Sequence, residues 1–166
     1  MSSFKFNLAD YNAGRKYESL LLPYVIEAIG EVQMSPERSR YDYWNPSLWA
    51  ELKTRTPRYG PEMSEWLFNS KKAKGYTADK QLFFFYYFIR DCSFWMIEYI
   101  PSKFEKFEKW EMPEEKGEIQ VNWLIPRTCW TRICTEIVDG LVSNPIYPPS
   151  SDTRMKQVKE KTALPV

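Results

Sequence analysis

The sequence predicts an α/β domain in which a mixed central sheet is flanked by helices, and three observations carry that expectation. Tyr17, Leu20, Leu21, Tyr24, Val25 and Ala28 recur at the three-four spacing of a helix with one buried stripe. Leu48–Arg55 alternates instead, which puts Leu48, Ala50, Leu52 and Thr54 on one face of a strand and Trp49, Glu51, Lys53 and Arg55 on the other. Two aromatic and β-branched runs, residues 82–89 and 94–100, are separated by Arg90-Asp91-Cys92-Ser93, short and polar enough for a hairpin turn.

Taken in order, Asn7 or Asp10 suits the start of the first helix and Gly30 its end, while Pro23 is expected to kink or divide it. Residues 31–34 begin a first strand, broken by Ser35-Pro36-Glu37. Residues 38–44 supply the hairpin partner of Leu48–Arg55 across an Asn45-Pro46-Ser47 turn. Residues 57–61 form a loop, and residues 62–73 fit a helix with Met63, Trp66 and Leu67 inward and Lys71, Lys72 and Lys74 at its C-terminal end, where cations favour the helix dipole. The unbroken apolarity of 82–89 fits a central strand covered on both faces, its rings packing a core rather than stacking bases. The KFEKFEKW repeat at 103–110 fits either a short amphipathic helix or a flap. Residues 119–125 are expected as a strand and 129–141 as a helix. The expected organisation is one domain over 1–142 and a Pro-, Ser- and Lys-rich tail over 143–166, disordered or pinned to a partner.

Composition narrows the chemistry. With 166 residues and no histidine, the chain has no Ser-His-Asp or Cys-His catalysis, no HExxH motif and no ordinary catalytic zinc site. Phosphate-binding GxxxxGK[ST] and dinucleotide-binding GxGxxG loops are absent too. Cys92, Cys129 and Cys134 lack CxxC spacing and are expected as buried reduced thiols. No apolar run suits a bilayer and the N-terminus lacks a signal-peptide pattern, so a soluble intracellular protein, cytoplasmic or nuclear, without a membrane partner is expected. Charge is uneven: residues 53–80 carry seven basic residues against three acids, and 98–118 carry seven acids against four lysines. The basic block suits a polyanion; a solvated face is the alternative.

Glu51 and Lys53 share a face of their strand, and a hairpin brings Asp42 to the same place. Two carboxylates beside an ammonium suit a hard divalent cation and a phosphoryl substrate. The alternative is an amphipathic hairpin with a charged solvent face. An acid, eight residues, then Glu51-Leu52-Lys53 resembles the PD-(D/E)xK nuclease superfamily, most closely its phage and archaeal Holliday-junction-resolving and restriction-like endonucleases. Tyr41 stands where that signature has its proline. Gly14-Arg15-Lys16-Tyr17-Glu18 is similar to the first helix of those families, in which a glutamate four residues after a glycine completes the metal site. Glu18 is alternatively a surface partner of Arg15 or Lys16, with Glu27 the fallback position. The predicted element order over residues 7–100 matches the restriction-endonuclease-like core.

The resemblance implies a Mg²⁺-dependent deoxyribonuclease, with Mn²⁺ as substitute and an endonuclease favoured over an exonuclease. Asp42, Glu51, Glu18 and the Leu52 carbonyl would be metal ligands, and Lys53, held charged by Asp42 and Glu51, would position the attacking water. Tyr17, Arg55, Lys71, Lys72, Lys74 and Gln81 would contact DNA in recombination or repair, and viral or phage origin fits. Two other classes stay open: a non-catalytic nucleic-acid or protein binding module on the same fold, and an interaction protein whose seven tryptophans serve an oligomer face such as a homodimer.

Overall fold

The computed structural model describes residues 8–113 and 117–133, with side chains from Gly14 onward. A long helix, α1 (Leu8–Ile29), is followed by β1 (Gln33–Met34), β2 (Tyr43–Asn45) and β3 (Leu48–Arg55). Then come β4 (Glu65–Asn69), a 3-10 helix (Ser70–Gly75), β5 (Gln81–Phe88), β6 (Ser93–Glu98), the one-turn α2 (Pro101–Phe104), β7 (Glu108–Pro113), β8 (Ile119–Pro126) and β9 (Thr131–Ile133). The strands form a six-stranded sheet in the order β1-β2-β3-β5-β6-β9 and a three-stranded sheet in the order β4-β8-β7. In the larger sheet β3 and β5 run parallel and every other neighbouring pair antiparallel, so the fold is α/β with a mixed sheet, as expected.

Local chemistry explains the start of the chain. Gly30 ends α1 at φ 93°, a conformation open to glycine, and its N–H donates to the Ile26 carbonyl at 2.8 Å. Pro23 lies inside α1, so of the two expected effects, a kink or a division, the division does not occur. The β2–β3 turn is closed by Asn45, whose Oδ1 accepts from Ser47 N at 2.7 Å and Leu48 N at 2.9 Å.

β5 is buried along its whole length after Gln81, and it divides two cores. Phe83, Phe85 and Tyr87 face α1, where Leu21 and Val25 pack with Leu48, Ala50 and Leu52 of β3. Leu82, Phe84, Tyr86 and Phe88 face the smaller sheet and its Trp66, Phe68, Trp123 and Ile125. Phe68 stacks on Phe84 with centroids 4.3 Å apart, and Trp66 meets Phe88 edge-on at 4.8 Å. The large sheet is therefore covered by a helix on one face and by a second sheet on the other.

That second sheet replaces a predicted helix. Residues 62–73 form β4 and the 3-10 helix, because Trp66 and Phe68 are both buried while Glu65, Leu67 and Asn69 are half-buried, a period of two. Asn69 ends β4 and caps the turn, its side chain accepting from Lys71 N at 3.0 Å. The predicted helix over 129–141 is likewise corrected where it is described: Arg127–Cys129 is a 3-10 turn and Thr131–Ile133 pairs with β6 as β9. The rest of that segment and the tail over 143–166 lie outside the described residues. Among the described residues no helix is long and apolar enough to cross a membrane. Cys92 and Cys129 are in no disulfide among the described residues and are half-buried rather than buried, and Cys134 lies outside the described residues.

Candidate active site

β2 and β3 are paired with Tyr43 opposite Ala50, and Asp42 N–H donates to the carbonyl of that same Ala50 at 3.0 Å, one residue out of the regular register. Asp42 reaches the carboxyl of Glu51, whose side chain shares its face of β3 with Lys53 and Arg55. Beyond Asp42 the chain leaves the sheet, and the Asp42 side chain takes the place of a strand neighbour: its Oδ2 accepts Leu52 N–H at 2.7 Å. In a strand the N–H and C=O of one residue share an edge, which turns the Leu52 carbonyl toward the same side.

α1 delivers the third acid. Tyr43 Oη donates to the Glu18 carbonyl at 2.7 Å and locks that helical turn onto β2. The Glu18 carboxylate accepts from Arg15 at 2.8 Å, as its alternative as an Arg15 partner expects, and it also faces Asp42. Burial pushes Glu18 up to about 8, with the hydrogen bond and charge of Asp42 adding to the rise and Arg15 opposing it. Burial and the charge of Asp42 push Glu51 up to about 8 as well, against the pull of Lys72. Crowded carboxyls with raised pKa values are under-compensated in negative charge, a condition that a cation relieves.

Lys72 is the cation already present. Its Nζ lies 2.5 Å from Glu51 Oε1, whereas Glu51 Oε2 is buried without a hydrogen-bond partner. Lys72 reaches inward because it sits on the 3-10 helix, itself tethered by Tyr41 Oη donating to the Lys72 carbonyl at 2.6 Å. Lys53 is accessible at the wall of the cleft yet ringed by protein. Burial, then the charges of Arg55 and Lys72, lower its pKa, and Glu51 only partly offsets them. Glu51 thus supports the charged form of Lys53, as expected of a neighbouring acid, while burial, Arg55 and Lys72 act against it and set the net direction.

Of these groups Glu51, Lys53 and Lys72 line a cavity of about 550 Å³ between the two sheets, whereas Asp42 and Glu18 do not. Glu51, Lys53 and Arg55 stand on one wall; Asn69, Gln120, Asn122, Trp110 and Met112 stand on the other, with Lys72 between. Arg55 lies over the Tyr59 and Tyr86 rings at 5.0 and 5.5 Å. The other predicted contacts are spread out. Lys71 lies 3.7 Å from Glu118, Lys74 is exposed at the end of the turn, and Gln81 bonds to Glu98 at 2.9 Å at the far end of β5. Tyr17 packs on Tyr87 at 5.5 Å, on the α1 face of the sheet and away from this cleft.

Asn122 is a site residue that sequence reasoning missed. It is buried, its Nδ2 has no hydrogen-bond partner, and its Oδ1 accepts from Gln120 at 3.1 Å. The available signal was an amide flanked by Val121 and Trp123 within the strand Ile119–Pro126, since a buried polar side chain is the informative exception.

Among the described residues no three acidic or thiol side chains form a ready-made metal cage. A hard divalent ion takes as few as one or two protein carboxylates, however, with substrate oxygens and water for the rest. The orphaned Glu51 Oε2, the adjacent Asp42 carboxylate and the Leu52 carbonyl are oxygen donors of that kind. The residues present thus fit a Mg²⁺-type ion. No family model matches the chain, and no curated protein matches it.

Proposed function

We propose that this protein is a Mg²⁺- or Mn²⁺-dependent nuclease that hydrolyses DNA phosphodiester bonds. One observation supports the reading: Glu51 and Lys53 stand on one wall of a basic cleft, and behind them Asp42 is clamped to the Leu52 N–H and reaches Glu51, one of whose oxygens has no hydrogen-bond partner. Asp42, Glu51 and the Leu52 carbonyl would hold the ion, and Glu18 would support Asp42 from α1. The bound ion supplies Lewis acidity, easing deprotonation of water and offsetting charge on a phosphoryl oxygen. Lys53, on the wall of the cleft two residues from Glu51, would orient the attacking water and offset charge on the scissile phosphate. Arg55 and Asn122 face the cleft as donors to phosphate oxygens, and Lys71 and Lys74 lie beside it as further positive charge.

Purified protein is expected to nick or linearise plasmid DNA with Mg²⁺ or Mn²⁺ and to stop with EDTA. Ca²⁺ is expected to support binding with poor cleavage, because it holds its ligands more loosely. Cleavage undiminished by chelation would end the metal-dependent reading.

The Lys72–Glu51 ion pair favours a second reading, a DNA-binding module in which an ammonium serves the acids in place of a metal. That reading predicts salt-dependent DNA binding indifferent to EDTA, with no cleavage under any divalent ion.

A further inference from the structure

A second cavity, of about 520 Å³, opens on the same face of the large sheet, and its position follows from strand register. Ser35 N–H donates to the Asp42 carbonyl at 2.8 Å, which sets Ser35 beside Asp42 at the end of the β1–β2 ladder, and the Asp42 side chain in turn reaches the Glu51 carboxyl. The next rung on that face is Gln33, Trp44 and Trp49. Residues two apart along a strand are separated by roughly 7 Å. The aromatic rung is therefore one step from the acids.

The cavity is lined by Trp44, Trp49 and Tyr41, with Ser35, Ser39 and Arg40 among its polar members. Tyr41 and Trp49 pack with centroids 5.5 Å apart, and Lys80 Nζ covers Trp49 at 4.4 Å, which fixes that indole in place. The Trp44 ring is half-exposed and has no aromatic or cationic partner among the described residues. Ser35 is only 2% exposed, yet its Oγ has no hydrogen-bond partner. An open π-face, a buried unsatisfied hydroxyl and cations at the rim together suit a flat, polar-edged, phosphate-bearing ligand.

We infer that this cavity takes one unpaired nucleobase of the DNA strand held at the acids, stacked on Trp44 and bonded at its edge by Ser35. The inference rests on the nuclease reading above and narrows its substrate to DNA with an unpaired base beside the scissile phosphate. A fully paired duplex keeps its bases in the helix and leaves the cavity empty. Unpairing an already mismatched or single-stranded base costs least, and this favours junctions, bulges and single strands.

The test is binding in Ca²⁺ and cleavage in Mg²⁺, on single-stranded, single-base-bulge and fully paired DNA of equal length. Trp44→Leu keeps apolar bulk but removes the π-face. It is expected to weaken binding of unpaired DNA by roughly 5- to 150-fold, the equivalent of one stacked base, with little change for the duplex. Trp44→Phe should retain most of the affinity, and Ser35→Ala should alter preference among the four bulged bases. Circular dichroism confirms that each variant is folded. As a readout without mutation, 2-aminopurine scanned along the unpaired DNA should be quenched at one position in the wild type. Equal losses on paired and unpaired DNA, no loss in a folded Trp44→Leu protein, or no DNA binding at all would each overturn the subsite. Cleavage with a silent Trp44 sinks the subsite alone, whereas base capture without cleavage in Mg²⁺ sinks the nuclease reading alone.

Discussion

Asp42 touches three parts of the site at once: the backbone of Leu52, the carboxyl of Glu51 and the carboxyl of Glu18. Asp42→Asn is expected to lose cleavage together with metal affinity, because an amide oxygen is a weaker ligand for a hard cation, and excess Mn²⁺ should partly restore it. Lys53→Ala should lose most cleavage while DNA binding and metal occupancy stay nearly intact, with no rescue by Mn²⁺. Wild-type turnover in folded Lys53→Ala protein would make the Glu51-Leu52-Lys53 match accidental. A pH prediction comes from the glutamates. Glu18 and Glu51 move from an ordinary 4.5 to about 8, so across that window the folded chain keeps protons that the unfolded chain has released. Their contribution to stability therefore falls as pH rises through the window. Denaturant unfolding in EDTA should show that decline and Glu51→Gln should flatten it; an identical slope in the variant would exclude Glu51 as a cause. Asp42, Glu51 and Lys53 were legible in sequence because strand alternation assigns a face. Lys72 was not, since a helix would have turned it outward, and neither was the orphaned Asn122 amide.

At the scale of elements, the 3-10 helix divides its lysines between two tasks. Replacing Lys71 and Lys74 together should weaken DNA binding and reduce its salt slope by up to about two units, while saturating substrate restores the rate. Lys72→Ala should instead tighten Mn²⁺ binding above the pH at which Glu51 ionises, because Lys72 competes for Glu51 Oε1. Calorimetry with Mn²⁺ separates the two, and unchanged affinity in Lys72→Ala would deny that competition. Tyr43→Phe removes the tie between β2 and α1 and is expected to cost about 0.5–1.5 kcal/mol in chemical denaturation. β3, β5, β6, β8 and α1 were readable because each is long enough to display its period. β4 was not: in five residues, Trp66, Leu67 and Phe68 satisfy both a helical stripe and an alternating strand, and only the partner sheet decides. The KFEKFEKW stretch failed similarly. Its three-residue spacing suggested a helix, but one turn ends at Phe104 and pairing with β8 converts the remainder to β7.

For the whole molecule, three layers meet at β5, and the aromatic contacts between the sheets hold the two walls of the cleft together. Phe84 touches Phe68, Tyr99, Phe104 and Trp123, and Phe84→Ala is expected to lower stability by about 3–5 kcal/mol in thermal or denaturant unfolding. A mixed sheet was predictable from the order of elements, whereas a second sheet in place of a helical layer was not, because it depends on pairings between β4 and β8 that are distant in sequence, from Asn69 with Asn122 to Glu65 with Pro126. The crossover from β3 to β5 has a kinetic consequence. It threads through β4, so the centre of the large sheet closes only when the chain between has been committed to the small one. Neither sheet is then a separable folding unit, and contacts so distant in sequence are slow to form. Native-state hydrogen exchange should report this as one shared opening: amides of β3, β5 and β8 exchanging together and last, and those of the exposed edge strand β7 exchanging first.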